Sequence, residues 1–189
     1  ILARAAQRRR LQDRLEPMRH RVLLDGARLQ LHAAPGRTVR LAQHGNDREA
    51  GLVDRRQGDL RICVAVAERL SGLRDSVPVG AALTMQAGSA AQVLLAWEDS
   101  QKIHRGLTHA KFTATQLAAV RRRGWAQSVG EREAGVASVS APVRGPNNKV
   151  IAAVSISGPI ERLGRQPGRI HAAAVVATAA RLSEHISRS

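Results

Sequence analysis

The 189-residue sequence predicts an α+β fold, an antiparallel sheet with helices packed on it. Three observations predict it. The passage "GVASVSAPVRGPNNKVIAAVSISGP", residues 135–159, reads as two strands with alternating apolar residues around a turn at "GPNNK". Segments with helix start and stop signals are interleaved with further strand-like runs along the chain. Hydrophobic residues make up 43% of the sequence but aromatics only 2%, so a core of useful size must be filled by Leu, Val, Ile and Ala.

The elements follow in order. Residues 1–21 are helix-prone, with Leu2, Leu11 and Leu15 on a narrow apolar face and Arg4, Arg8, Arg9, Arg10 and Arg14 around it; Pro17 marks the end. In "VLLDGARLQL", Asp25-Gly26 between two apolar runs signals a hairpin. Helix followed by basic hairpin is the second half of a winged helix. Residues 32–56, rich in Gly, Pro and charge, read as a connector. In "DLRICVAVAE", Ile62, Val64 and Val66 alternate with Cys63, Ala65 and Ala67, a strand apolar on both faces and therefore central.

An extended stretch with Val77, Val79 and Leu83 leads to Gly88-Ser89, which precede a helix through Val93, Leu94, Leu95 and Trp97. A serine after glycine at a helix start leaves backbone N–H groups ready for an anion, and serves equally as an ordinary cap. "TATQLAAVRRRGWAQS" has Thr113 or Thr115 as its cap, Leu117 and Val120 on one face and Gly124 as terminator. Trp125 starts another strand before the hairpin, and an Ala-rich helix with Val175, Val176, Leu182 and Ile186 runs from about 168 to 187.

Thirty Lys plus Arg against fifteen Asp plus Glu leave a formal charge of +15, which favours a polyanionic partner. Residues 1–28 hold eight Arg and three acids, so part of that excess is local to the helix and hairpin. The scarcity of aromatics disfavours recognition of stacked bases. One cysteine, Cys63, excludes an internal disulfide and any multi-cysteine zinc site, and it lies in an apolar run where a thiol is usually inert. No apolar run reaches the length of a membrane span, and a cytoplasmic, membrane-free protein is expected.

No catalytic constellation stands out. "HRGLTH" sets His104 and His109 five apart, without the helical spacing of a zinc pair, so no metal or cofactor is expected. Glu131 and Glu133 share one side of an extended segment, a pattern charged loops also produce. "VGAALTMQAGSAA" lacks a phosphate-loop lysine. What remains is a set of small hydroxyls, Ser89, Ser128, Ser138, Ser155 and Ser157, at strand and helix ends. Buried hydroxyls need partners, either within the protein or on a bound polar molecule.

"SVPVGAALTMQAGSAAQVLLA", "VRRRGWAQSVGEREAGVASVSAPVRG" and "VIAAVSISGPIERL", in that order, resemble the effector-binding domain of IclR-type bacterial transcription regulators. "RRQGDLRICVA" and "ERLSGLRDSVPVG" are similar to an actinobacterial branch, the NdgR/LtbR regulators, linked to leucine biosynthesis and amino-acid metabolism. The resemblance implies a GAF-like domain over 55–189: a curved antiparallel sheet flanked by helices, with a small-molecule pocket. It implies a carboxylate ligand, a small organic acid or amino acid, near the Ser89 and Ala90 amides. Ser128, Ser138, Ser155 and Ser157 would supply side-chain contacts, and Asp75 and Leu83 the lid-like apolar side. Better-known members carry an acidic residue and a cysteine where this chain has Ser128 and Ser138.

"RRLQDRLEPMRHRVLLDGARLQL" resembles the recognition helix and wing of the same family, implying a partial winged helix-turn-helix unit at 1–31, joined by a linker at 32–54. The expected protein is a homodimer or homotetramer that reads a palindromic double-stranded DNA operator and answers to a metabolite. The rival readings are an enzyme with Ser157 as nucleophile and a nonspecific basic nucleic-acid coat protein.

Overall fold

The computed structural model describes the backbone of residues 22–25, 28–34, 37–41, 50–67 and 77–188, and the side chains of 51–66 and 77–188. Strands β1 (Val22–Asp25), β2 (Arg28–Ala34) and β3 (Arg37–Leu41) form an antiparallel three-stranded sheet. Asp25 lies opposite Arg28, the register of a two-residue connection at Gly26-Ala27. The helix expected over 1–21 lies outside the described residues.

The main sheet has six strands in the order β6-β5-β4-β9-β8-β7, every adjacent pair antiparallel. These are β4 (Ala50–Gln57), β5 (Leu60–Ala67), β6 (Ala82–Thr84), β7 (Ala126–Val129), β8 (Val136–Arg144) and β9 (Val150–Pro159). The sheet curls into a half-barrel. The long hairpin read from the sequence is β8–β9, and its turn is a single 3-10 turn, Pro146–Asn148, in which Asn147 and Asn148 take positive φ of 58° and 59°.

Alternation divides the sheet's two faces between two helical layers. Val139, Ala141 and Val143 of β8, with Ala152 and Val154 of β9, pack against Val175, Ala179 and Leu182 of the long helix α5 (Pro167–Ser187). Ala153 and Ala126 turn the other way, towards α1 (Ser89–Ala96). All eight residues of α1 are buried, as its nearly all-apolar sequence requires. Below it, α3 (Ala114–Arg123) contributes Leu117 and Val120, and begins with a reciprocal capping box between Thr113 and Gln116. It ends at Gly124 in the left-handed conformation. A short helix, α4 (Ile160–Leu163), links β9 to α5.

Two departures from the sequence reading have identifiable causes. The segment read as a connector contains the end of β2, all of β3 and most of β4, and β4 is an inner strand between β5 and β9. The polar run Asp54-Arg55-Arg56-Gln57 hides its alternation, although Leu52 and Val53 are core residues. The second departure is α2 (Ser100–Leu107), a helix carrying His104 that has no counterpart in the sequence reading. None of its residues is fully buried, and its apolar stripe is a single pair, Ile103 and Leu107, packed against the α1 cluster. It is supported locally by Asp99, whose carboxylate accepts from the Lys102 amide, and by a Glu98–Lys102 ion pair at 3.0 Å.

Gly168 marks where α5 meets the sheet. Its N–H donates to Gln127 Oε1 at 2.9 Å, and a Cβ there would collide with the Trp125 ring while lying 2.7 Å from the same Gln127 oxygen. Although alanine is the better helix former by about 1 kcal/mol, Gly168→Ala is expected to destabilise the protein by roughly 1–3 kcal/mol through overpacking. Urea unfolding checks this; an unchanged or higher midpoint would refute the tight seating of α5.

Candidate functional site

Strand register brings four of the serines singled out by sequence into one neighbourhood. Across β7, β8 and β9, Ser128 lies opposite Ser138 and Ser138 opposite Ser157; one step along, Ser140 lies opposite Ser155. The first turn of α1 descends on these rows and inserts Ser89 between them. The result is an unbroken line of hydroxyls: Ser128 to Ser138 at 2.9 Å, Ser138 to Ser89, Ser89 to Ser140 and Ser140 to Ser155 each at 2.7 Å. The Ser89 amide donates to Ser128 Oγ at 3.2 Å and closes a loop at one end. Five hydroxyls supply five protons, and four links consume four. One proton is therefore left to donate outside the line, from whichever hydroxyl the others point towards.

The opening of α1 is organised by charge as well. Gly88, its N-cap, has φ 96° and ψ 157°, a region open essentially to glycine alone, and offers no capping side chain. Glu131 supplies the acceptor instead: its Oε2 takes the Gly88 N–H at 2.9 Å, and Gln92, 1% exposed, donates to the same carboxylate at 3.1 Å. Burial pushes the Glu131 pKa up, opposed by these hydrogen bonds and by the charge of Lys111. On the opposite side of the cap, Arg61 brings Nη2 to 3.5 Å from where a Gly88 Cβ would stand.

Arg61 is 3% exposed and Asp54 1%, and Arg61 Nη1 donates to Asp54 Oδ2 at 2.6 Å. Burial lowers the Arg61 pKa, Asp54 opposes that, and Arg132 adds to the lowering. Arg61 Nε is buried without an acceptor among the described residues. A cation held this way has donor capacity to spare beside a helix N-terminus, an arrangement suited to a small anion.

Ser89, Ser128, Ser138 and Ser155 thus share one network, with Ser157 buried beside Ser138. Ala90, in the first turn of α1, is buried in the core, and the Ser89 amide is already engaged by Ser128. Leu83 lies opposite Arg61 on β6 and packs at the edge of the Leu52, Cys63, Val66 and Val77 cluster. Asp75 and Arg4, Arg8, Arg9, Arg10 and Arg14 lie outside the described residues. Side chain meets side chain in the hydroxyl line, so these serines do not depend on a guest to be satisfied. Sequence reasoning left out Ser140, Asp54, Arg61 and Gln92. Ser140 was signalled by its place two residues from Ser138 on the same strand face; the Asp54–Arg61 pair was hidden because β4 read as a connector.

A curled antiparallel half-barrel with helices and this polar interior is a GAF-like effector domain. The chain belongs to the IclR family of bacterial transcriptional regulators: the family model described as bacterial transcriptional regulator IclR C-terminal matches residues 49–184. It is 35% identical over 92 residues to the HTH-type transcriptional regulator RhmR of Escherichia coli (strain K12), an alignment covering 42% of this chain and 35% of RhmR. It is similar in structure to a candidate transcriptional regulator of Rhodococcus sp. RHA1, with TM-score 0.67, 25% identity and coverage of 74% of this chain and 62% of that one. For the C-terminal domain of a Vibrio cholerae regulator the TM-score is 0.63 and the identity 27%, covering 71% of this chain and 85% of that domain. The chain therefore spans about a third of RhmR and under two thirds of the Rhodococcus protein. The family and these relatives are transcriptional regulators, not enzymes.

Asp54→Ala strands a buried guanidinium and is expected to cost about 3–5 kcal/mol, whereas a paired Asp54→Leu/Arg61→Met replacement recovers most of it. Denaturant unfolding of the three proteins decides; a harmless Asp54→Ala would refute the burial of the pair. A second expectation concerns pH. Because folding raises the Glu131 pKa, the native state holds that proton more tightly, and stability falls as pH rises from the ordinary carboxylate value through the displaced one. Glu131→Gln should lose that component, so the variant gains on the parent as pH increases across this window. Parallel melting curves that keep a constant gap would contradict it.

Proposed function

We propose that this chain is the metabolite-sensing part of a DNA-binding regulator, and that a small carboxylate enters the polar side of the sheet at the start of α1. The observation that carries this reading is Arg61: a buried guanidinium with an unused Nε–H, set against the Gly88 cap beside a hydroxyl line with one proton to give. A carboxylate accepts from such donors in a way that water-exposed surface arginines do not enforce. Ser89, Ser128, Ser138, Ser155 and Ser157 would contribute contacts or orient those that do, with Leu83 and Asp75 on the apolar side.

The wider reading rests on the family and on the N-terminal charge. Arg4, Arg8, Arg9, Arg10 and Arg14 would meet DNA as part of a winged-helix unit at 1–31, joined through the residues ahead of β4 to the sensing domain, in a homodimer or homotetramer on a palindromic operator. The resemblance of "RRQGDLRICVA" and "ERLSGLRDSVPVG" to regulators of leucine and amino-acid biosynthesis supports target genes of that kind and a cytoplasmic setting. To act as a signal, the ligand must bind one arrangement of the regulator better than another.

Thermal unfolding of the full chain against 2-oxo acids, branched-chain amino acids and other small acids tests the sensor. A true effector at a hundred times its dissociation constant adds about 2.7 kcal/mol of stability, a rise of several degrees that Arg61→Met should abolish. A flat response to every acid would overturn the proposal.

A further inference from the structure

A hollow borders the same network at Ser128. It has a volume of about 250 Å³ and is walled by Gln92, Gln116, Ala119, Arg123, Gln127, Ser128, Val129 and Glu131. Gln116, Ala119 and Arg123 fall at helical spacing and form one face of α3. The rest of the wall comes from β7, the edge strand of the sheet, which among the described residues pairs with β8 alone. The hollow therefore offers main-chain and amide groups along its length and opposite charges in its wall.

Both charges are held in place. Arg123 Nε donates to the Trp125 carbonyl at 2.6 Å, and its guanidinium stacks 4.0 Å from the Trp125 ring centroid. Its terminal nitrogens have no protein acceptor among the described residues, leaving a fork that is oriented before any ligand arrives. Glu131 is fixed by Gly88 and Gln92, both neutral donors; Lys111 Nζ is committed to the Glu131 main-chain carbonyl at 2.6 Å. A partly buried carboxylate held by neutral groups gains from an incoming ammonium.

From these groups we infer that this hollow is a second ligand site, for a free α-amino acid whose carboxylate pairs with Arg123 and whose ammonium faces Glu131. A 2-oxo acid of the same skeleton lacks the ammonium, and the matched amine lacks the carboxylate. Gln92 and Gln127 are already linked, Gln92 Nε2 to the Gln127 carbonyl at 3.3 Å, and form a polar wall of fixed geometry. Ser128 belongs both to this wall and to the hydroxyl line, so a ligand that accepts its proton sets the direction in which the whole line, as far as Ser155, donates. The site thereby addresses the interior that the sensor reading assigns to a carboxylate. It does not depend on that reading for its own existence.

Isothermal titration of the full chain with the common L-α-amino acids, their matched 2-oxo acids and matched primary amines tests the site. At least one amino acid is expected to bind tenfold or more tightly than both of its analogues. Arg123→Met and Glu131→Gln should each weaken that binding at least tenfold. Ala119→Leu, which leaves every charge in place and fills the hollow, should abolish it, with the unliganded melting temperature reported for each variant. The inference is overturned if no amino acid binds, or if binding survives unchanged in Arg123→Met and Ala119→Leu. If 2-oxo acids still stabilise the protein in that case, the interior sensor stands while this second site falls. If no compound of any class binds, both fall.

Discussion

A helix buried on every side has to begin inside the protein, where its first N–H groups cannot turn to water. In this domain α1 meets that constraint without a cap of its own. Gly88 supplies only a backbone, and the acceptors arrive from 39 and 43 residues further along the chain, Ser128 for the Ser89 amide and Glu131 for the Gly88 amide. The long β8–β9 hairpin, the approach of β7 and the loop carrying Glu131 must all be in place before α1 is satisfied. Everything polar in the interior is a consequence of that arrangement. The serine rows sit where the helix start can reach them, and the hydroxyl line ties the helix to three strands at once.

Around this start the charges are sorted rather than pooled. Arg61 and Asp54 occupy one side of Gly88, and Glu131 with Gln92 the other. The interior side has a cation with an unused donor, and the outer side an anion held by neutral donors and facing Arg123 across a hollow. Ser128 is shared by both. A buried ion pair of this kind adds little net stability compared with apolar residues. Under the proposed function the pair serves recognition instead, in keeping with a family that binds small-molecule effectors.

Much of the fold was legible because it rests on local signals. The Asp-Gly connection, the alternation of β5 and the β8–β9 hairpin, the Thr113 cap and the Gly124 stop each place an element within a residue or two of where it lies. The failures were also physical. The second half of β4 is polar, with Asp54 neutralised by a residue on the next strand, so its alternation breaks where the ion pair begins. Helix α2 has no fully buried residue, and its apolar stripe is only the pair Ile103 and Leu107, too short a run to announce a helix.

By itself the sequence determined the fold class, the apolar character of the core and the presence of serines on one face of a hairpin, because period, turn chemistry and composition act over short distances; the family came from the resemblance of three ordered segments. Only the tertiary structure decided what those serines do. Cross-strand register and the descent of α1 set which hydroxyls lie within 2.9 Å of one another, and so made Ser140 a member and the line continuous. The same is true of Arg61 and Asp54, and of Arg123 and Glu131: a charge's role depends on how far it is from water and which group faces it, and no spacing along a chain encodes either.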